Sequence, residues 1–243
     1  MLTKTGTDTQ SGAPSSDRGR MLPVNELFET IQGEATWTGT PSVFVRLQGC
    51  DVSCPWCDTK HTWSLDPAKE VALSAMLSKL DDDEKYSLVG IDTLVAMVKR
   101  YRAKHVVITG GEPCTHDLLL LTTRLIEQEG RSVQIETSGT AEIRCHHRTW
   151  VTVSPKFHMP GGKVVQIEML NRADEIKMPV GRPADIAQLT TALGQLKQRT
   201  SREIPIWLQP LSMNKKATEL CIAIATANNW KLSIQTHRFI GVR

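Results

Sequence analysis

The sequence predicts an α/β protein, a partial (β/α) barrel whose parallel strands are joined by crossover helices. Three observations carry that expectation. Short apolar runs alternate with amphipathic stretches from about residue 22 onward. Seven of those runs have strand character. Each of the seven finishes on glycine or on polar side chains, where a parallel β/α fold builds its ligand site.

The elements follow in order. PSVFVRLQG (41–49) alternates, with Val43, Val45 and Leu47 on one face and Phe44, Arg46 and Gln48 on the other. HVVITG (105–110) is the second strand. The stretch 116–130 has helical spacing and stops at Gly130. SVQIETS (132–138), WVTVSPK (150–156) and DEIKM (174–178) are the next strands. A helix is expected over 185–199, a strand over 204–210 (IPIWLQP), a helix over 215–229 and a last strand over 231–237 (KLSIQTH). Residues 64–104 read as charged and helical, without legible chemistry, and are expected to be an insertion that shapes partner contacts.

Composition bounds the rest. A chain of 243 residues, 40% hydrophobic, suits one large domain with a proper core. Residues 1–20 are rich in Thr, Ser, Gly and Asp and are expected to be a disordered tail. Residues 21–243 then form a single domain. A formal charge of +3 gives no reason to expect nucleic acid or a membrane surface as partner. No apolar run approaches a membrane span, and no signal-peptide core is read. The six cysteines do not form a secreted disulfide framework, so the reducing cytoplasm is the expected compartment.

Chemistry concentrates after the first predicted strand. Cys50, Cys54 and Cys57 are spaced C-x3-C-x2-C. Three soft thiolates on one short loop point to a metal or cluster. Two readings stand at this spacing. A four-iron cluster on three thiolates leaves one iron open for a ligand. With His61 as a fourth ligand, the same loop becomes a structural zinc site in a binding module. Trp56, inside the loop, either shields such a site or touches a ligand ring. At the next strand end, Thr109-Gly110-Gly111-Glu112-Pro113 lets a backbone approach a ligand closely. Arg46 is a planar, permanently charged fork suited to a carboxylate, or else a strand arginine paired with a nearby acid.

The cysteine spacing followed by Gly110-Gly111-Glu112-Pro113 resembles the radical S-adenosylmethionine superfamily. The resemblance extends to a subfamily. Asn25-Glu26-Leu27-Phe28, Thr30-Ile31-Gln32-Gly33-Glu34, Arg46-Leu47-Gln48-Gly49-Cys50, Cys57 to Trp63, Ile135 to Gly139, Val153 to Lys156 and Gln235-Thr236-His237 together resemble the 7-carboxy-7-deazaguanine synthases of queuosine biosynthesis. Where that family often has Gly-Glu-Gly, this chain has Gly33-Glu34-Ala35, which leaves the geometry of that loop open.

The resemblance implies a lyase with a 4Fe-4S cluster on Cys50, Cys54 and Cys57. It implies S-adenosyl-L-methionine bound by Gly111, Ser154, Pro155 and Lys156, with Trp56, Glu136 and Ser138 also at the cofactor. Magnesium (Mg2+) falls to Thr59. Ile31, Gln32, Gly33, Arg46, Thr109, Gln235 and His237 fall to the substrate. The implied reaction takes a hydrogen atom from 6-carboxy-5,6,7,8-tetrahydropterin, contracts its ring and expels ammonia. No residue acts as a catalytic acid or base, because the radical is carried by the cofactor. The implied partners are the pterin, an electron donor such as flavodoxin or ferredoxin, and a second copy in a homodimer. An activating enzyme that works on a protein partner is the other radical enzyme compatible with the cysteine motif.

Overall fold

In the computed structural model, residues 21–80 and 82–242 are described. The tail expected at residues 1–20 lies outside the described residues. The strands are β1 (Met21–Ile31), β2 (Pro41–Leu47), β3 (Ser87–Gly90), β4 (His105–Gly110), β5 (Ser132–Thr137), β6 (Trp150–Val153), β7 (Glu175–Val180), β8 (Ile206–Pro210) and β9 (Lys231–Leu232). They form one sheet in the order β3-β1-β2-β4-β5-β6-β7-β8-β9. From β2 to β9 every neighbouring pair is parallel. β1 runs antiparallel to β2 and to β3. The sheet stays open between β3 and β9, as a partial barrel does.

The seven parallel strands correspond to the seven that the sequence predicts. The last is much shorter than expected, and Gln235 and His237 lie beyond it, His237 in a short terminal helix. The antiparallel β1 and β3 were not anticipated. The helices are α1 (Leu73–Leu77), α2 (Ile91–Lys99), α3 (Leu119–Thr123), α4 (Ile167–Arg172), α5 (Pro183–Lys197), α6 (Lys215–Asn228) and α7 (Thr236–Ile240). The first predicted helix is present as α3 with a π-helical turn at its end (Arg124–Gln128). The other two are α5 and α6. Residues 64–104 are integral to the domain: Met76, Val89, Leu94 and Val98 are buried in one core with Val43, Val45 and Val106.

Period-2 alternation sorts each inner strand between two environments. Val43, Val45, Val133 and Ile135 face an apolar core under α2 and α3. Val151, Val153, Ile176 and Met178 face a second core under α4, α5 and α6. The alternate residues point into the barrel, and on β5, β6 and β7 they include the buried polar side chains Gln134, Thr152, Glu175 and Lys177.

A buried polar group needs a partner, and here the partners form a chain. Thr36 Oγ1 donates to Glu175 Oε2 at 2.5 Å, and Thr152 Oγ1 donates to Glu175 Oε1 at 2.7 Å. Gln134 Nε2 donates to Thr152 Oγ1, and Gln134 Oε1 meets His105 Nε2 and accepts from Gln32 Nε2. Burial lowers the pKa of His105, which favours the neutral ring; Trp37 stacks on it at 4.1 Å. The turn after β1 thus fills the barrel interior and bridges its open side. Ala35 N donates to Ser233 Oγ, and Thr236 N donates to Gly33 O.

Outside the barrel, Arg131 closes the C-terminal end of α2. Its guanidinium donates to the carbonyls of Val98, Lys99, Tyr101 and Ala103, and the residue is 6% exposed. A cation at a helix C-terminus satisfies carbonyls that the helix leaves unpaired. Arg131→Met should therefore lower stability by about 2–3 kcal/mol, measured by urea unfolding. A change below ~0.5 kcal/mol, the range of an ordinary surface substitution, would contradict this account.

Candidate active site

The strand carboxyl ends open into one cavity with about 1430 Å³ of empty space, counting its mouth. All seven predicted strand ends contribute side chains to its wall: Cys50, Thr109 to Glu112, Glu136 to Ser138, Ser154 with Lys156, Lys177, Gln209 with Pro210, and Gln235 with His237. Of the residues assigned from sequence, every one lines this cavity except Pro155, which is buried between Ser154 and Lys156.

Close backbone packing brings the two motifs together. Gly111 N donates to Leu47 O, and Glu112 N donates to Gly49 O. A Cβ on Gly110 would lie 2.3 Å from Leu47 O, and one on Gly111 would lie 2.1 Å from Gly49 O. Only glycine allows the β4 end to press against the start of the cysteine loop. The Glu112 carboxylate ties this corner to β5, accepting from Thr137 Oγ1 (2.6 Å), Ser138 N (2.7 Å) and Ser138 Oγ (2.5 Å). The Ser138 hydroxyl is thereby committed to Glu112.

The three loop cysteines are free thiols. Burial pushes the Cys50 thiol up and the Cys54 thiol to about 11. A metal centre reverses that tendency by binding the thiolate. Thr59 N donates to Cys57 Sγ at 3.4 Å, and the Thr59 hydroxyl lies 3.5 Å from the same sulfur. Among the described residues no three His, Cys, Asp or Glu side chains gather as a single metal ion requires. His61 does not line the cavity; its Nδ1 faces Asp82 at 3.5 Å. The zinc alternative with His61 as fourth ligand is therefore not what the geometry offers. Three free thiols on one loop that lines the cavity are the donor set a cluster with one open iron would use.

Sequence reasoning assigned no role to the strongest polar feature of the wall. Lys177 Nζ is buried between Glu34 Oε2 and Glu136 Oε1, the latter at 3.2 Å. Glu34 Oε1 also accepts from Gln235 Nε2 (2.8 Å) and Gln209 Nε2 (3.2 Å). Gln32 donates to Glu136 Oε1, and its own Oε1 accepts from Glu34 N. Burial alone would raise the Glu34 pKa; the Lys177 charge and the hydrogen bonds from Lys177 and Gln235 outweigh it and hold the carboxyl at about 2. Burial likewise opposes charge on Lys177, but Glu136 and Glu34 reverse this and raise its pKa. The signal for Lys177 was present only as a charged residue inside an apolar strand. Ala35 adopts φ 52°, a conformation that glycine enters without strain, so the departure from Gly-Glu-Gly falls at a position where the backbone favours glycine.

Arg46 and Lys156 complete the charged wall. Arg46 Nε donates to Glu26 Oε2 at 2.7 Å, so the acid partner weighed from sequence does exist. Lys156 Nζ donates to Ser154 O (2.9 Å) and Ser154 Oγ (2.6 Å), and burial lowers its pKa. Trp56 lines the mouth and is 38% exposed.

Glu34 gives a pH signature. Its folded pKa lies below its ordinary value of 4.5, so its contribution is present above pH ~4.5 and disappears as pH falls towards about 2. Lys177→Met leaves two buried carboxylates without their cation and should cost about 3–5 kcal/mol at neutral pH. The deficit should also shrink as pH falls, because burial without the Lys177 charge raises the Glu34 pKa and protonation relieves the uncompensated carboxylate. Urea unfolding across pH 3 to 7 reads both effects (about the range of carboxylate titration), and wild-type stability in the variant would refute the role given to Lys177.

The Radical SAM superfamily signature matches residues 44–145, which hold the cysteine loop and the Gly110–Pro113 corner. A 7-carboxy-7-deazaguanine synthase from Escherichia coli (strain K12) is 51% identical over 222 residues, covering 90% of this chain and 98% of that protein. A protein of the same name from Buchnera aphidicola is 42% identical, covering 91% and 99%. The crystal structure of QueE from Escherichia coli superposes with a TM-score of 0.85 at 50% identity, covering 90% of this chain and 96% of that one.

Proposed function

The chain belongs to the 7-carboxy-7-deazaguanine synthase family of radical S-adenosylmethionine enzymes, and from that premise we infer how its side chains serve the reaction. The activity is the conversion of 6-carboxy-5,6,7,8-tetrahydropterin to 7-carboxy-7-deazaguanine in queuosine biosynthesis, a carbon–nitrogen lyase reaction. When bound, the cluster and S-adenosylmethionine supply the radical that starts it. The observation that carries the residue assignments is the convergence of the cysteine loop, the Gly110–Glu112 corner and Arg46 on one cavity.

In this reading Cys50, Cys54 and Cys57 hold the cluster. Gly110 and Gly111 keep the corner free of side chains, so that backbone groups can meet the amino group of S-adenosylmethionine. Lys156, anchored by Ser154, offers an ammonium to its carboxylate. Glu136 and Ser138 would also adjoin it, with Glu136 Oε1 held by Lys177 and Gln32 and the Ser138 hydroxyl by Glu112. Arg46 takes the pterin carboxylate. Ile31, Gln32, Gly33, Thr109, Gln235 and His237 enclose the pterin rings. Magnesium is assigned to Thr59, with waters and substrate oxygens as its other ligands. The enclosing wall keeps water and stray hydrogen donors from the reacting carbon.

An external one-electron donor is required. We extend this to a flavodoxin or ferredoxin that approaches over exposed Pro55 and Trp56, to a homodimer, and to a cytoplasmic setting, which the six free cysteines support. No helix among the described residues is long and apolar enough to cross a membrane.

Anaerobic assay of the reconstituted enzyme with the pterin, S-adenosylmethionine and magnesium tests these roles together. Cys57→Ala should abolish S-adenosylmethionine cleavage. Arg46→Ala should keep residual cleavage but lose roughly 100-fold in kcat/KM for the pterin. Wild-type kcat/KM in the Arg46 variant would remove it from the substrate site.

A further inference from the structure

Arg46 does not stand alone on β2. The register of β1 against β2 shifts between Val24 and Glu26, a β-bulge. Two residues of β1 oppose one of β2 there. As a result Glu26 lies directly across from Arg46, while Asn25 donates to Gln48 Oε1 at 2.7 Å. Gln48 in turn donates to the carbonyls of His61 and Ser64, and Lys79 Nζ donates to Asn25 Oδ1. The bulge is therefore pinned from behind the cavity.

Glu26 is 7% exposed and is not part of the cavity wall, whereas Arg46 is. Their contact uses Nε of Arg46, the inner nitrogen of the fork. The two terminal nitrogens, which form the bidentate edge for a carboxylate, keep no partner among the described residues. The next facing pair of the two strands, Phe28 and Phe44, stacks at 5.4 Å with an interplanar angle of 7° and lines the cavity beside Arg46. An unpaired arginine samples many rotamers, and ordering it on binding weakens affinity. Here the acid on the neighbouring strand has already chosen the rotamer.

We propose that Glu26 is a positioning residue for the substrate carboxylate: it fixes the roll of the Arg46 guanidinium so that its terminal edge faces the cavity. This rests on the reading of Arg46 as the carboxylate ligand, and the experiment separates the two.

The reconstituted holoenzyme with S-adenosylmethionine is titrated anaerobically with two fluorescent, unreactive ligands, 6-carboxypterin and pterin, and binding is read by anisotropy. Wild-type protein should prefer 6-carboxypterin, and Arg46→Ala should erase that preference. Glu26→Ala should weaken 6-carboxypterin about three- to tenfold and leave pterin unchanged. Glu26→Gln, which keeps an acceptor for Nε, should show a smaller loss and covers the case in which the alanine variant does not fold. Equal weakening of both ligands would reduce Glu26 to a structural role, and tighter binding of 6-carboxypterin would reduce it to neutralising Arg46. Unchanged binding of both would also overturn the proposal. If wild type and Arg46→Ala share one ligand ratio, the Arg46 reading itself is what fails.

Discussion

One buried ammonium holds the barrel's ligand end in shape. Lys177 on β7 lies between Glu136 on β5 and Glu34 in the turn after β1, and Glu34 also receives Gln209 of β8 and Gln235 beyond β9. The sheet does not close by strand pairing, so something else must fix the distance across its open side. A charged cluster does this well because its geometry is demanding: removal from water costs each ion several kcal/mol, about what well-placed partners return. The same cluster sets the turn carrying Gln32 and Gly33, and Gly33 must be glycine because a Cβ there would lie 2.2 Å from the His237 ring. Residues lining the cavity thus inherit their positions from an ionic contact they do not make.

The fold was largely legible because parallel strands buried on both faces read as apolar runs, and seven such runs became seven strands. What escaped detection shows the limit of periodicity. β1 carries Pro23, then Asn25 and Glu26 side by side at a bulge, which breaks the two-residue rhythm on which strand reading depends. β3 has only four residues. Lys177 was legible as a polar strand end facing the cavity, but not its pairing with Glu136 and Glu34, 41 and 143 residues away. The cysteine loop and the glycine corner were legible for the opposite reason, since their chemistry is local in sequence.

The barrel separates its two tasks by strand face. Apolar residues under the helices supply stability, while the inner face is given over to hydrogen bonds running from Glu175 through Thr152 and Gln134 to Gln32. A radical reaction needs a rigid site that excludes water, and an apolar interior would give exclusion without orientation. A hydrogen-bonded polar interior gives both, because the bonds running through Glu175, Thr152 and Gln134 restrict each side chain to one geometry.

Charge in the cavity wall follows the same logic. Its acids are Glu34, Asp58, Glu112 and Glu136, and its cations are Arg46, Lys156, Lys177 and Arg238, so the formal charges of the wall balance. Recognition must then be local. Lys177 and Arg238 are spent on Glu34, Glu136 and Asp58, and Glu112 on the β5 hydroxyls. Arg46 and Lys156 remain as cations whose outer nitrogens or charge are open to a ligand, one on β2 and one beyond β6. A zwitterionic cofactor and an anionic bicyclic substrate each carry one carboxylate. Two cations on different strands of an otherwise balanced wall can seat both ligands side by side, each with its own carboxylate as the anchor.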